Sequence, residues 1–145
     1  MGKRAVQSAD SVLAYPATDS VLFEHLFAHS PDGIVLVDGR DRIIRVNPAF
    51  EALFGYASQD CVGQPVNDLL VDPDFRDEAS DLSGQVLAGR PVRVESVRRA
   101  GDGSLLHVEV SGVPIRTAHG QIGIFGIYRD IGARRNAEEM LRQRE

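Results

Sequence analysis

Apolar and polar positions change period several times along this chain, and each change marks an element. From Thr18, the residues Leu22, Phe23, Leu26 and Phe27 recur at helical spacing behind Ser and Asp capping residues. That pattern predicts a short amphipathic helix covering another surface. Ser30-Pro31-Asp32-Gly33 closes it with turn chemistry. Two apolar runs follow, Gly33–Val37 and Arg42–Val46, and the intervening Asp38-Gly39-Arg40-Asp41 predicts a hairpin. Asn47-Pro48 then restores a helical period: Asn is a good cap, Pro suits the first helical position, and Phe50, Leu53 and Phe54 share a face. Gly55 stops this helix. Residues 56–74, broken by Gly63, Pro65 and Pro73, predict single turns and loop. Phe75, Ala79, Leu82 and Val86 then hold one face of a longer helix that Gly89 ends.

Three strands complete the pattern, at 91–99, 105–115 and 121–131, joined by Ala100–Gly103 and Thr117–Gly120 as turns. Strands in hairpin order with helices collected between them predict an α+β fold. It is a five-stranded antiparallel sheet with helices on one face, flanked by N- and C-terminal helices. Residues 1–17 lack sustained periodicity and read as a flexible N-terminal tail. The domain with its flanking helix occupies 18–131, and 132–145 is an amphipathic exit helix. Asp130 is placed to cap that helix, and Ala133, Ala137, Met140 and Leu141 form a narrow apolar seam. Arg134–Glu138, Arg135–Glu139 and Glu138–Arg142 are spaced for ion pairs along it. A helix this short is marginal alone in water, so the seam calls for a second copy or a downstream helix in a coiled coil.

Composition narrows the classes. A chain of 145 residues, 43% hydrophobic and 26% charged, supports one domain with a real core. A net charge of −5 argues against a nucleic-acid surface. One cysteine excludes an internal disulfide framework and a multi-cysteine zinc site. No apolar run has the length of a membrane span, and the first residues lack a signal peptide's apolar core. The expected location is cytoplasmic, with no membrane contact by this segment.

Four stretches together resemble a PAS domain: PDGIVLVD, GRDRIIRVNPAFEALFGY, AGDGSLLHVEVSGVPIR and GQIGIFGIYRDIGARRNAEE. The resemblance covers roughly 20–131 and the exit helix, with Gly132 where the family usually has Thr. It implies a non-catalytic sensory or dimerisation module. Such a module acts as a homodimer, through Leu22, Phe23, Leu26 and Phe27 and through the exit seam. It biases a downstream output domain of histidine kinase or diguanylate cyclase type. The alternatives are a ligand-free scaffold used only for dimerisation and a flavin-binding redox sensor. Fold alone does not choose among them.

A small-molecule pocket follows from alternation and from similarity to flavin-binding relatives. Leu106, Val108 and Val110 share one face of their strand and His107, Glu109 and Ser111 the other. The resemblance turns Val108, Val110, Ile124 and Tyr128 inward, together with Arg98, although Val97 interrupts the alternation of that strand. Phe50, Phe54, Leu69, Phe75 and Leu82 would supply the helical wall. An apolar pocket with one phenol and one guanidinium suits a small organic acid, because Arg binds a carboxylate through two parallel hydrogen bonds. Alternatively, Arg98 reaches solvent or pairs internally, and Tyr128 simply packs.

No cofactor is predicted. A light-sensing flavin relative would carry a reactive cysteine three residues after Gly63, where Val66 stands; Cys61 lies on the other side and reads as a half-buried, inert thiol. No His occurs between Asp72 and Leu106 to hold haem, and the absence of Trp makes FAD a poor fit. His25 and His29 have metal-binding spacing, yet no further ligand cluster accompanies them. His107 and Glu109 share a face without a nucleophile nearby and read as an interface contact rather than an acid/base pair.

Overall fold

A computed structural model of the chain describes residues 16–116, 120 and 122–144. Helix α1 (Pro16–His29) leads into a hairpin of β1 (Gly33–Val37) and β2 (Ile43–Val46). Three short helices follow: α2 (Pro48–Phe54), α3 (Ser58–Cys61) and α4 (Val66–Leu70). A 3-10 turn (Pro73–Phe75) precedes α5 (Arg76–Leu87). Strands β3 (Val92–Arg99), β4 (Leu105–Arg116) and β5 (Ile122–Asp130) then feed α6 (Gly132–Arg144).

The strands form one antiparallel sheet in the order β2-β1-β5-β4-β3. The last strand is therefore the central one, held between β1 and β4. Gly123 permits part of this: a Cβ there would collide with the Val37 carbonyl oxygen, so β1 and β5 meet at that point only because the side chain is absent. The core lies between the inner sheet face and α2–α5, with Phe50, Phe54, Leu70 and Val108 fully enclosed beside Val35, Val37 and Ile43. Each such side chain contributes about 1.5–3 kcal/mol on burial.

Asn47 ties the entry of the fold together. Its Oδ1 accepts from Phe50 N (2.9 Å), capping α2, and from Ile34 N (2.8 Å) on β1. Its Nδ2 donates to the carbonyls of Phe27 (3.0 Å) and Asp32 (3.0 Å). Gly55 ends α2 at φ 74°, a left-handed position that favours glycine.

Several expectations are corrected. Helix α1 begins at Pro16 rather than Thr18, since proline is tolerated in a first helical turn. The rest of the expected tail, residues 1–15, lies outside the described residues, as does most of the Thr117–Gly120 turn. Phe27 is buried on its own chain, because the turn at Ser30–Asp32 folds the end of α1 against the sheet. The Arg45 guanidinium stacks 4.5 Å from its ring centroid while pairing with Glu24. Cys61 is fully enclosed, not half-buried. Strand β3 alternates cleanly: Val97 pairs with His107 on the outer face and Arg98 with Leu106 on the inner one. On α6, Arg134 pairs with Glu138 as expected, but Glu139 pairs with Arg142 instead of Arg135.

Candidate functional site

An inner cavity of about 50 Å3 lies between the sheet and α5. Leu82, Arg98, Val110, Ile124 and Tyr128 line it, with Val35, Val37 and Val86 completing its apolar wall. Five other expected lining residues stand elsewhere. Phe50 and Phe54 form an aromatic cluster with Tyr128, at centroid distances of 6.0 and 5.2 Å, which fills the space beneath α2. Val108 is packed into the core. Helix α4 points Val66 and Leu70 inward, one helical turn apart, so Leu69 is only half-buried. Phe75, in the 3-10 turn, borders a separate groove.

Arg98 is the buried charge of this site, at 3% exposure. Its Nη1 donates to the Val97 carbonyl (2.8 Å), Ser96 Oγ (3.0 Å) and Glu78 Oε1 (3.2 Å). Ser96 donates in turn to Glu78 (2.6 Å), closing a small polar triangle between β3 and α5. Both alternatives for Arg98 thus hold in part: it lines the cavity and it pairs with a carboxylate. Burial pushes the Tyr128 phenol up to about 12, so it stays protonated at neutral pH.

At the other edge of the sheet stands Asp41, which sequence reasoning placed only in a turn. It takes φ 67° in the β1–β2 connection, a conformation that Asp tolerates better than most residues. Its backbone carbonyl accepts from Val66 N (2.9 Å) and its carboxylate from Ser83 Oγ (3.3 Å), linking the hairpin to α4 and α5. Burial pushes its carboxyl up to about 6, opposed by the Ser83 hydrogen bond and reinforced by Asp38. A polar residue four positions into a strand connection could have been flagged by its left-handed propensity, but nothing in sequence spacing pointed it at a cavity.

The exit is built from β5. Ile124, Gly126 and Tyr128 face the cavity; Asp130 and Ile131 then turn the chain into α6. Asp130 Oδ1 accepts from Gly132 N (2.8 Å), and Ile131 N donates to the His107 carbonyl (3.0 Å). Arg134 pairs with Glu95 on β3 (2.7 Å). Beneath this first turn runs a groove lined by Phe75, Glu78, Val97, His107, Ile131 and Arg135. Glu78 therefore contacts Arg98 of the inner cavity and also borders the root of the exit helix. Beyond that turn α6 has no buried residue; Ala133, Ala137, Met140 and Leu141 are exposed. On α1, which enters the sheet beside the end of β5, Leu22, Phe23 and Leu26 are exposed as well.

The remaining candidates do not assemble into chemistry. His107 is exposed, and Glu109 pairs with Arg93 (3.3 Å) rather than with it. The rings of His25 and His29 lie 4.5 Å apart on α1, and no group of three or more metal-ligating side chains converges among the described residues. Burial pushes the Cys61 thiol up, away from reactivity. No helix among the described residues is long and apolar enough to cross a membrane.

Comparison with known proteins agrees with this geometry. A family profile described as the PAS fold matches residues 22–131. The C4-dicarboxylate transport sensor protein DctS of Rhodobacter capsulatus is 33% identical over 116 residues, covering 78% of this chain and 18% of the relative. The sensor histidine kinase TmoS of Ectopseudomonas mendocina is 30% identical over 122 residues, covering 81% and 12%. Among solved structures, a PAS domain from Colwellia psychrerythraea superimposes with a TM-score of 0.68 at 31% identity, covering 76% of this chain and 94% of that one. The chain thus spans less than a fifth of the length of these two curated relatives.

Proposed function

The chain belongs to the PAS family, and from that premise we propose that it is the sensory, dimerising module of a signal-transduction protein. It binds a small organic ligand in the inner cavity and passes the change to a histidine kinase output region through α6. One observation carries this reading: the strand that walls the cavity with Ile124, Gly126 and Tyr128 is the central strand, and it runs without a loop into the exit helix. A displacement of β5 or of the Arg98–Glu78 pair therefore acts at the root of α6. The exposed apolar residues of the two flanking helices, Leu22 and Leu26 on α1 and Met140 and Leu141 on α6, are the surfaces for a second copy. The ligand works by population shift, binding one arrangement of β5 and α6 more tightly than the other.

The cavity volume supports a ligand of a few heavy atoms over a flavin or haem, since one water needs about 10–15 Å3 of the same space. The test is a chimera joining Glu145 in frame to the dimerisation and catalytic region of a sensor histidine kinase. Autophosphorylation is expected to rise and fall as one to seven residues are inserted at the junction, returning near seven. Arg98→Gln should shift its rate at least about threefold, a change of roughly 0.7 kcal/mol in the activation barrier. Activity indifferent to both linker phase and Arg98 would reduce the domain to a dimerisation scaffold.

A further inference from the structure

We propose that the inner cavity takes a small amino- or hydroxycarboxylic acid, its carboxylate held by Arg98 and Tyr128 and its second polar group by Asp41. This rests on the reading of the cavity as a ligand site. Arg98 has five N–H donors, and those on Nη1 are engaged by Glu78, Ser96 and Val97. Nε and Nη2 have no acceptor among the described residues. Every fully enclosed side-chain nitrogen and oxygen among the described residues does have a partner. Those two nitrogens therefore keep some accessible surface, and Arg98 lines the cavity. A buried guanidinium with that edge of its fork unclaimed is costly, and a carboxylate answers it with two parallel hydrogen bonds. Tyr128, 6% exposed and lining the same space, adds a neutral hydroxyl donor.

Asp41 lines the cavity from the opposite edge strand's connection. Ser83 takes one of its acceptor positions, and a carboxylate offers about four. It calls for a donor: an ammonium or a hydroxyl. Between the two polar ends the wall is apolar, and Gly112 and Gly126 keep it open. A Cβ on either would lie 3.0 Å from a methyl of Val86 or Val35 respectively. A volume of about 50 Å3 admits roughly three to five water-sized groups, which limits the ligand to the smallest acids of the class, with about two or three carbons.

The test is calorimetric titration of the full chain with glycolate, lactate, glycine and β-alanine, against acetate, propionate and ethylamine. At least one acid bearing a donor should bind at least about tenfold more tightly than acetate or propionate (about 1.4 kcal/mol). Asp41→Asn should compress that ratio to within about threefold while propionate binding persists. Arg98→Lys, which keeps the charge but not the fork, should weaken every carboxylate at least about tenfold. Propionate binding as well as lactate, or ethylamine binding best, would overturn the ligand class and leave the sensory reading standing. No binding by any probe would overturn both.

Discussion

Asn47 concentrates more of the fold's organisation than any other polar residue. It is fully buried and makes four hydrogen bonds that join the end of α1, the turn before β1, β1 itself and the cap of α2. Asn47→Ala removes a cap and strands buried partners, so urea unfolding should show a loss of about 2–4 kcal/mol. Asp41 makes the opposite kind of statement. Its carboxyl is pushed from 3.8 up to about 6 in the fold, so the folded state holds that proton more tightly than the unfolded chain. Its favourable contribution is complete below the unfolded value and lost as pH rises through about 6. Asp41→Asn, which keeps an oxygen for Ser83 and tolerates the left-handed backbone, should melt above wild type at about pH 8. The gap should close as pH falls toward about 4; a gap that persists there contradicts the assignment. Sequence reading found Asn47 through its cap position before Pro48, but Asp41 was invisible as a site residue, because its burial comes from Ser83, far along the chain on α5.

At the scale of elements, alternation and turn chemistry were the reliable signals. The hairpin at 33–46, the capped helix after Asn47 and the three closing strands all stand where pattern and Gly/Pro punctuation placed them. Periodicity alone did not assign the pocket wall. Phe50 and Phe54 lie on the correct face of α2, but that face is consumed by Tyr128 and leaves no cavity beside it. Leu69 failed because a five-residue helix presents only one inward turn, Val66 and Leu70. Phe27 failed because a helix stripe does not say whether its partner is its own sheet or another molecule. The exit helix depends on few contacts: Asp130, the Ile131–His107 bond and the Arg134–Glu95 pair. Glu95→Gln should therefore loosen only that root. Amide exchange in the first two turns of α6 is expected to quicken roughly two- to fivefold while the sheet is unaffected. Equal exchange in both proteins would show that the pair does not hold the helix.

For the whole molecule, strand order matters most. Placing the last strand in the middle of the sheet puts one backbone segment in contact with the cavity, with both flanking strands and with the exit helix. The strand itself was legible in the order of elements, but alternation pointed to 105–115 as the central strand. The place of β5 between β1 and β4 was not foreseeable from local pattern. Nor was the Glu78 connection between Arg98 and the groove under α6, since it joins residues on β3 and α5 that no local pattern relates. The proposed signalling depends above all on the state of the cavity reaching α6 through this route. Hydrogen exchange on the intact chain, comparing wild type with Leu82→Phe, is the decisive experiment. The larger side chain enters the cavity from α5, at a position that does not line the groove under α6. Altered protection is expected along β5, with at least about a threefold change in exchange across residues 132–144. A change confined to α5 and its immediate neighbours, with α6 exchanging as in wild type, would show that the cavity and the exit helix are uncoupled.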